Sequence, residues 1–522
     1  MHGVALLLAA AALGYAASRL LRAPSIPLLL LAGLALSFVR PPEAAVLEDA
    51  LLLGVSFLLF VVGLELDPRR TRAQRTAAIR VGLVQFFVLA VLGFAAARGL
   101  GFDPVAAGYL ALAVTASSTL VGVRLLQRRR QMFEPFGRLV LGVLLLQDVL
   151  VLAMIPLVTE LGGSWRAALA GLGGVLLLGA MSLLCRRWVG PLLLLVAEDQ
   201  ESVLLGTLTL LFLFLAAAGL LGVPLVVGAF LAGVALSRFP VNGIVRPEVA
   251  PIGDFFAAIF FTALGALVGV PTGAQLVQAA VLALVVVLVT PPLVTVIAER
   301  AGFSARPAIE AGLLLSQTSE ISLVIGLSGM IQGSIGQDVF TVIALVTLAT
   351  MLLTPILAAD AVALRLMHLY PLRRQPPEPP PYDHVLLLGT GATGMPLLED
   401  LILAGSYVVV VDDDPAVIAR LAEAEVRTIR GDASDTEVLR QAGVERARVV
   451  SSTIRRPRDN ATLLELARGV PTLVRVFDDA DADWVRERGG IPVLYSEAAA
   501  DGLMEWFEEE RERLEARTAA SA

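Results

Sequence analysis

The sequence predicts a polytopic α-helical membrane protein of about thirteen transmembrane helices, joined to a C-terminal α/β Rossmann-like domain. Of the 522 residues, 57% are apolar and only 17% are charged, whereas soluble domains average about 45–50% and about 25%. Long apolar segments recur along the first 370 residues, and short strands alternate with helices after them. This composition excludes an ordinary cytosolic enzyme and a disordered protein.

The charge differs between the two parts of the chain. Residues 1–370 contain 22 Arg and 19 acidic residues, and the remaining 152 residues contain 18 Arg and 28 acidic residues. Because nucleic-acid binding requires a basic surface, the acidic C-terminal part argues against a nucleic-acid partner. The single cysteine, Cys185, excludes a disulfide framework.

Thirteen segments are apolar enough to be membrane spans, each of which needs roughly 20 apolar residues. They cover residues 3–21, 25–39, 46–66, 76–98, 105–126, 135–159, 163–184, 201–221, 223–238, 250–270, 274–298, 307–331 and 337–368. Arg19 and Arg22 follow the first segment rather than precede it, which predicts a retained helix and not a cleaved signal peptide.

The arginines between these segments predict the orientation. Twenty-one of them fall on the side of the loop after the first span, and only Arg40, Arg98 and Arg166 fall on the other side. Because cytoplasmic loops carry the excess of Arg and Lys, the N-terminus is predicted outside and the C-terminal domain in the cytoplasm. The membrane is then the inner, or cytoplasmic, membrane.

The domain order follows from the change in pattern near residue 370. We predict a membrane domain over residues 1–370, a Pro-rich linker over 371–382, a Rossmann-like domain over 383–496 and a charged helix over 497–522. The linker reads PLRRQPPEPPPY, and Pro at this density forms a semi-rigid spacer. Strands are predicted at 384–389, 406–412, 426–432, 448–452, 472–477 and 491–495; their alternation with helices indicates a parallel sheet.

Asp148 is the clearest ionisable residue inside a predicted span, and Gln147 precedes it in VLLLQDVLVLAM. Burying a carboxylate in this position costs free energy, so such a residue is a functional candidate by default. It can bind a cation or a proton, but seldom both, so this competition alone would couple the movement of the two. The alternative is a structural ion pair with an arginine of a neighbouring helix.

Two spans contain runs of polar residues. The twelfth has Ser316, Gln317, Thr318, Ser319 and Glu320 in succession, and the fifth has Thr115, Ser117, Ser118 and Thr119. Either these helices face a packed polar seam, or they are interrupted there and line a cavity. Small hydroxyl residues also suit close helix packing. The two runs lie seven spans apart, as in the paired interrupted helices of transporters.

The C-terminal domain begins with a glycine-rich turn after a predicted strand. Gly389, Gly391 and Gly394 form GTGATG at the start of a helix, and Asp412 ends the next strand. This spacing is typical of dinucleotide binding, in which the acidic residue binds the ribose. Asp432, after the third strand, is a further candidate for the ribose or the base. The alternative is a Rossmann-like domain that has lost its ligand.

Together, LLFVVGLELDP, LALAVTASSTLVG, GRLVLGVLLLQDVLVLAMIPL, VVGAFLAGVAL and GLLLSQTSEISLV resemble the Kef-type monovalent cation:proton antiporters. The resemblance implies a homodimer with inverted repeats and two crossed, broken helices in each protomer. It also implies a set of ion- and proton-binding residues: Asp148, Gln147, Thr115, Ser117, Ser118, Gln317, Ser319 and Glu320. No metal is implied beyond the transported cation. The Gln–Asp pair is associated with K⁺ in that family, which favours K⁺ over Na⁺.

The C-terminal domain resembles the TrkA-N, or RCK N-terminal, domains of the same antiporters, which bind NAD(H) or AMP-like nucleotides. We therefore expect a nucleotide-regulated K⁺/H⁺ antiporter that is not an enzyme. Relatives often carry a Lys before the second broken helix, where this chain has Thr290, Pro291 and Pro292; we accordingly expect electroneutral one-for-one exchange. The alternatives are a Na⁺/H⁺ antiporter and a nucleotide-gated potassium channel, although no filter sequence such as TVGYG is present.

Overall fold

The computed structural model describes residues 2–21, 24–39, 44–64, 74–129, 131–132, 135–159, 165–196, 199–238, 240–303, 305–369, 379–391, 394–424, 426–454 and 456–521. These residues form two compact units. The first comprises Met1–Ala298 and Ala308–Leu366, and the second comprises Glu299–Pro307 and Met367–Ala522.

All the regular secondary structure in the described part of the first unit is helical. Its helices are α1 (His2–Leu20), α2 (Ser25–Val39), α3 (Ala44–Leu64), α4 (Arg75–Gly99), α5 (Pro104–Ala113), α6 (Thr119–Arg128), α7 (Pro135–Thr159), α8 (Trp165–Val196), α9 (Gln200–Leu220), α10 (Leu225–Leu236), α11 (Val241–Leu267), α12 (Gly273–Arg300), α13 (Ala305–Leu314), α14 (Glu320–Ile331), α15 (Gln337–Leu357) and α16 (Asp360–Leu369). Helices α12, α13 and α16 each extend past the division between the units.

Eight of the described helices are long and apolar enough to cross a membrane. Large apolar side chains are also exposed along them, such as Leu176 on α8 (74%), Leu205 on α9 (69%) and Leu288 on α12 (64%). Such surfaces require a lipid rather than an aqueous environment. The unit is therefore a multi-pass membrane domain, and the count of thirteen spans stays a prediction.

Close helix packing in this domain depends on small residues. A Cβ atom on Gly63 of α3 would lie 2.1 Å from the carbonyl oxygen of Phe230, and one on Gly233 of α10 would lie 2.0 Å from that of Phe60. The backbones of α3 and α10 therefore touch at a pair of glycines, as is typical of membrane helices.

The structure corrects the sequence prediction at three helices. The predicted span over residues 337–368 is wrong as a single helix, because α15 ends at Leu357, after Pro355, and α16 begins at Asp360. Helix α11 begins at Val241, well before the predicted 250, and contains Pro247 and Pro251. Helix α8 continues to Val196 beyond the predicted 184. The predicted spans ended at polar residues, whereas a helix can continue through polar residues beyond its apolar part.

The second unit is a doubly wound α/β domain. Its elements are β1 (Val385–Leu388), α17 (Gly394–Leu403), β2 (Val408–Asp412), α18 (Pro415–Glu423), β3 (Arg427–Arg430), α19 (Thr436–Gln441), β4 (Val449–Ser452), α20 (Ala461–Leu466), β5 (Thr472–Val476), α21 (Asp479–Arg486), β6 (Ile491–Leu494) and α22 (Tyr495–Ser521). The strands are all parallel, in the order β3-β2-β1-β4-β5-β6. This is the classical dinucleotide-binding order, which confirms the predicted Rossmann-like fold.

Most of this domain matches the predicted elements to within a few residues. Helix α21 was not predicted, because four of its eight residues are Asp or Arg and only one face is apolar. Asp478 caps its N-terminus by accepting a hydrogen bond from the backbone of Asp481 at 2.9 Å. Most of the Pro-rich linker, residues 371–378, lies outside the described residues.

Candidate functional site

Two helix pairs of the membrane domain are interrupted at the polar runs. Residues 114–118 separate α5 from α6, and residues 315–319 separate α13 from α14. The second helix of each pair begins at a serine cap: Ser118 accepts a hydrogen bond from Val121 N–H (3.3 Å), and Ser319 accepts one from Ile321 N–H (3.1 Å). Both runs therefore interrupt their helices, and the uninterrupted polar seam is excluded.

Asp148 lies against the first interruption. Helix α7 carries both Asp148 (1% exposed) and Gln147 (0% exposed) into the interior of the domain. The Thr119 hydroxyl donates to Asp148 Oδ2 at 2.8 Å, and the backbone N–H of Ser117 donates to Gln147 Oε1 at 3.1 Å. The Asp148 carboxylate thus lies at the N-terminus of α6, where the helix dipole favours negative charge.

Direct contacts join the two interruptions. Ser118 donates its hydroxyl hydrogen to Glu320 Oε2 at 2.6 Å, and Ser117 donates to the carbonyl oxygen of Leu315 at 2.7 Å. Because Ser118 and Thr119 are consecutive, they link the carboxylates of Glu320 and Asp148 through adjacent residues. The structure therefore brings Asp148, Gln147, Ser117, Ser118 and Glu320 into one buried cluster, here called the carboxylate cluster.

The other predicted ion-site residues are buried but bond within their own segments. Thr115 donates to the carbonyl oxygen of Leu112 at 2.7 Å, and Gln317 donates through Nε2 to that of Leu314 at 3.3 Å. Ser319 caps α14. These contacts satisfy carbonyl groups that the ends of α5 and α13 leave without helical partners.

Sequence reasoning missed two residues that contact the interruptions. Gln85 of α4 is fully buried and donates to Ser117 Oγ (3.4 Å) and to the Leu315 carbonyl (3.5 Å). Thr350 of α15 accepts from the backbone N–H of Thr318 at 3.1 Å. The available signals were a lone amide in the apolar segment VGLVQFFVLA and the threonines 347, 350 and 354 of α15, spaced along one helix face.

An ion pair that sequence reasoning also missed joins the interrupted helices away from the carboxylate cluster. Arg129, which follows α6, lies 3.9 Å from Glu310 of α13. Its guanidinium also donates to the carbonyl oxygen of Ala358, which follows α15. Glu310 is 3% exposed, so the pair is shielded from solvent.

Several buried polar atoms around the interruptions have no hydrogen-bond partner among the described residues. They are Gln147 Nε2, Gln85 Oε1, Gln317 Oε1 and Thr290 Oγ1. Three of the four are oxygen atoms, which are the ligands that hard cations prefer. Leaving such groups unpaired costs free energy, so water or a cation is the expected occupant.

In the second unit, the glycine-rich turn lies at the switch point of the sheet. Gly389 follows β1 with φ of 81°, and its carbonyl oxygen accepts from the Thr453 hydroxyl at 2.9 Å. A Cβ on Gly394 would lie 2.2 Å from that carbonyl oxygen, whereas one on Gly391 would meet nothing within 4 Å. The crevice between β1 and β4 is where doubly wound sheets bind ligands, and Thr453 is a crevice residue that sequence reasoning missed.

Both acidic candidates of this domain accept hydrogen bonds from the protein. Asp412 Oδ2 accepts from the N–H and the hydroxyl of Thr390 at 2.7 and 2.8 Å, so it supports the glycine-rich turn. Asp432 accepts from the N–H and hydroxyl of Ser434, and its carboxylate lies 3.5 Å from the guanidinium of Arg306 in the same unit. That guanidinium also donates to Asp459 at 2.9 Å. The contacts of Asp412 and Asp432 with a nucleotide stay predictions.

Comparison with known proteins identifies the family. Residues 6–359 match the family described as sodium/hydrogen exchanger, transmembrane, which is more than half of the chain. The chain belongs to this family. It is a cation:proton antiporter, and therefore a transporter and not an enzyme. Residues 385–497 match the TrkA-N domain, so the antiporter is of the Kef type, with a C-terminal TrkA-N domain.

Curated relatives cover both parts of the antiporter. The glutathione-regulated potassium-efflux system protein KefC of Enterobacter sp. (strain 638) is 27% identical over 427 residues, which cover 80% of this chain and 68% of the relative. The protein of the same name in Cronobacter sakazakii (strain ATCC BAA-894) is 27% identical over 438 residues, with coverages of 81% and 70%. The crystallised TrkA-N domain of inner membrane protein ybaL from Escherichia coli is 25% identical, covers 24% of this chain and 97% of that chain, and has a TM-score of 0.23.

Proposed function

We propose that this antiporter exchanges K⁺ for H⁺ and that Asp148 carries both. The observation that carries the proposal is the buried Asp148 carboxylate, which receives a hydrogen bond from Thr119 at the start of α6. A carboxylate there binds either a cation or a proton, so transport of one requires release of the other. Potassium is supported by the name of the KefC relatives and by the Gln147–Asp148 pair.

The surrounding residues have distinct roles in this proposal. Gln147 binds the freed backbone of the interruption through Ser117, which leaves the Asp148 carboxylate for the transported ion. Ser118 and Glu320 join the two interruptions, so the broken helices move together when the site changes its access from one side to the other. Thr115, Gln317 and Ser319 stabilise the ends of the broken helices.

The proposed regulatory ligand is NAD(H) or an AMP-like nucleotide. The support comes from the TrkA-N match and from the turn at Gly389, Gly391 and Gly394, where the missing Cβ of Gly391 leaves the backbone open to a phosphate. Binding would favour one transport state by having a higher affinity for it. Asp412 and Asp432 would then contact the nucleotide beside their present partners.

We further propose that the antiporter is a homodimer in the inner membrane, with its N-terminus outside and its TrkA-N domain in the cytoplasm. The arginine distribution supports this orientation. Protease added to the outside of intact cells should leave the TrkA-N domain uncut, whereas opened cells should lose it; cleavage in intact cells would reverse the assignment.

Proton flux in proteoliposomes of the full chain tests the exchange. A K⁺ gradient should drive a larger internal pH change than an equal Na⁺ gradient. Asp148→Asn should reduce this flux to that of protein-free liposomes, because the amide neither binds a proton nor balances a cation. Asp103→Asn is the matched control: Asp103 caps α5 at the surface, and Asn caps helices equally well.

The contrary outcomes separate the alternatives. A larger response to Na⁺ would establish a Na⁺/H⁺ antiporter instead. K⁺ flux that needs no proton counterflow and persists in Asp148→Asn would indicate a channel and overturn the proposal. Full exchange in Asp148→Asn would remove Asp148 from the site.

A further inference from the structure

Three arginines surround a hollow in the membrane domain that is separate from the carboxylate cluster. Arg186 and Arg187 of α8 and Arg238, two residues past the end of α10, line a space of about 370 Å³ together with Leu183. The space opens widely to the surface of the domain and is not enclosed. None of the described residues that line the space carries a carboxylate.

None of the three guanidiniums is neutralised by the described part of the chain. The ion pairs of the described residues include none of them. Arg187 instead lies over the ring of Trp188, with 5.8 Å between the guanidinium carbon and the ring centroid. Three like charges around one hollow repel each other. The site therefore favours an anion, which can accept hydrogen bonds from several N–H groups. The guanidinium fork matches a phosphate in this respect.

The hollow lies at the end of the apolar spans. Residues 167–185 of α8 contain no charged residue, and Arg186 and Arg187 follow them directly. Helix α10 ends at Leu236, two residues before Arg238. Ser182 joins the two helices by donating its hydroxyl hydrogen to the Leu231 carbonyl at 2.7 Å. Arg186 is one helical turn beyond Ser182, about 6 Å along the axis. The arginines therefore lie at the depth of phospholipid headgroups.

Exposed apolar side chains adjoin the arginines. Leu183, which also lines the hollow, is 62% exposed, Leu184 is 60% exposed and Trp188 is 66% exposed. Trp is typical of the membrane–water interface, and the leucines face the acyl-chain region. A ligand in the hollow therefore meets positive charge at one end and a lipid-facing apolar surface at the other.

We propose that this hollow binds the phosphate headgroup of an anionic phospholipid, whose acyl chain lies along Leu183 and Leu184. Basic hollows between membrane helices bind such headgroups. An apolar chain explains the exposed leucines, which a free phosphate ion would leave unused. Because α8 and α10 are joined by Ser182, the bound lipid would bridge two helices of the membrane domain.

Native mass spectrometry of the full-length antiporter tests the proposal. Detergent-solubilised protein would be titrated with phosphatidylglycerol and, separately, with phosphatidylcholine. We expect tighter binding of phosphatidylglycerol. The triple substitution of Arg186, Arg187 and Arg238 by Gln should weaken it about a hundredfold, since each interfacial arginine contributes about fivefold.

The matched control removes the same charge elsewhere. Arg75, Arg80 and Arg365 are exposed, and their triple substitution by Gln should leave phosphatidylglycerol binding within about twofold of the wild type, because sites away from the hollow do not contribute. Arg238→Gln alone is the second variant: its side chain is exposed and follows α10, so its loss leaves the helix packing intact. It should weaken binding about fivefold.

Each remaining outcome overturns the proposal. Equal affinity for the two lipids, or equal weakening in the control variant, would show that the hollow is not a specific site for an anionic lipid. If millimolar inorganic phosphate displaced phosphatidylglycerol completely and bound as tightly by itself, the site would be one for the free ion. Unchanged lipid binding in both Arg238→Gln and the triple variant would exclude a site here.

Discussion

Single residues explain why the two interruptions stay in contact inside a membrane. Ser118 both caps α6 and donates to Glu320, so one hydroxyl satisfies a helix end and a buried carboxylate. Ser319 caps α14 in the corresponding position. Each interruption frees backbone groups that lipid cannot satisfy, and serine is small enough to provide the partner within the helix packing.

His384, at the start of β1, makes the stability of the TrkA-N domain depend on pH. Its ring is fully buried, and Nε2 lies 2.9 Å from the Ala442 carbonyl, while Nδ1 has no partner among the described residues. Burial holds the pKa of His384 below its ordinary value of 6.5. The unfolded domain therefore binds the proton more readily, so stability is complete above pH 6.5 and falls as the pH decreases below it.

We expect hydrogen exchange of the β1 amides, corrected for intrinsic rates, to show decreasing protection between about pH 7 and pH 5.5 in the full chain. His384→Gln should flatten this dependence, since the glutamine amide donates to Ala442 and does not titrate. Equal pH dependence in the variant and the wild type would assign the effect to another group.

Neighbouring helices hold the two interruptions in place. They do so by forming hydrogen bonds with the backbone groups that each interruption leaves free. Helix α15 presents Thr350 to the freed N–H of Thr318, and α4 presents Gln85 to Leu315. The strands β1 and β4 similarly form the crevice beside the glycine-rich turn. In each case a regular element stabilises an irregular one.

Thr350→Val tests the contact between α15 and the second interruption. The change retains the side-chain shape but leaves the buried N–H of Thr318 without its partner, which costs about 1–3 kcal/mol. Thr341→Val is the matched control on the same helix, because among the described residues the Thr341 hydroxyl bonds only to the carbonyl of Gln337, one turn earlier. Thermal unfolding of the solubilised antiporter should show a larger decrease for Thr350→Val; equal decreases would contradict the contact.

Substitutions at two glycines of the TrkA-N domain test its stability and its ligand binding separately. Gly394→Ala places a Cβ 2.2 Å from the Gly389 carbonyl oxygen, so we expect it to destabilise the domain by about 1–3 kcal/mol, as overpacking does. Gly391→Ala meets no protein atom within 4 Å. It should leave the unfolding midpoint unchanged and weaken NAD(H) or AMP binding, measured by titration of the full chain. Unchanged binding would place the phosphates elsewhere.

At the scale of the whole molecule, the exchange stoichiometry depends on which charges move with the ion site. Helix α12 carries Thr290, Pro291 and Pro292 before the second pair of interrupted helices, and the chain contains no Lys at all. Thr290 is fully buried. A threonine in this position contributes no charge to either transport state.

We therefore expect one K⁺ to exchange for one H⁺ without net charge movement. The initial rate of K⁺-driven proton flux in proteoliposomes should be the same, within error, at 0 mV and at an imposed potential of about 100 mV. That potential is worth about 2.3 kcal/mol for each charge moved. A rate that changes severalfold with the potential would indicate electrogenic exchange.

The sequence by itself determined the membrane class, the Rossmann-like domain, the two polar runs and the position of Asp148 inside an apolar segment, but it left open whether the runs interrupt their helices. These follow from composition and from local period, which depend on neighbours along the chain. Only the tertiary structure decided that Ser118 reaches Glu320 and that Ser117 reaches Leu315, 202 and 198 residues away. It also decided that Gln85 and Thr350 complete the interruptions and that three arginines surround one hollow. Such contacts depend on how distant helices pack, and no local pattern in the sequence specifies that packing.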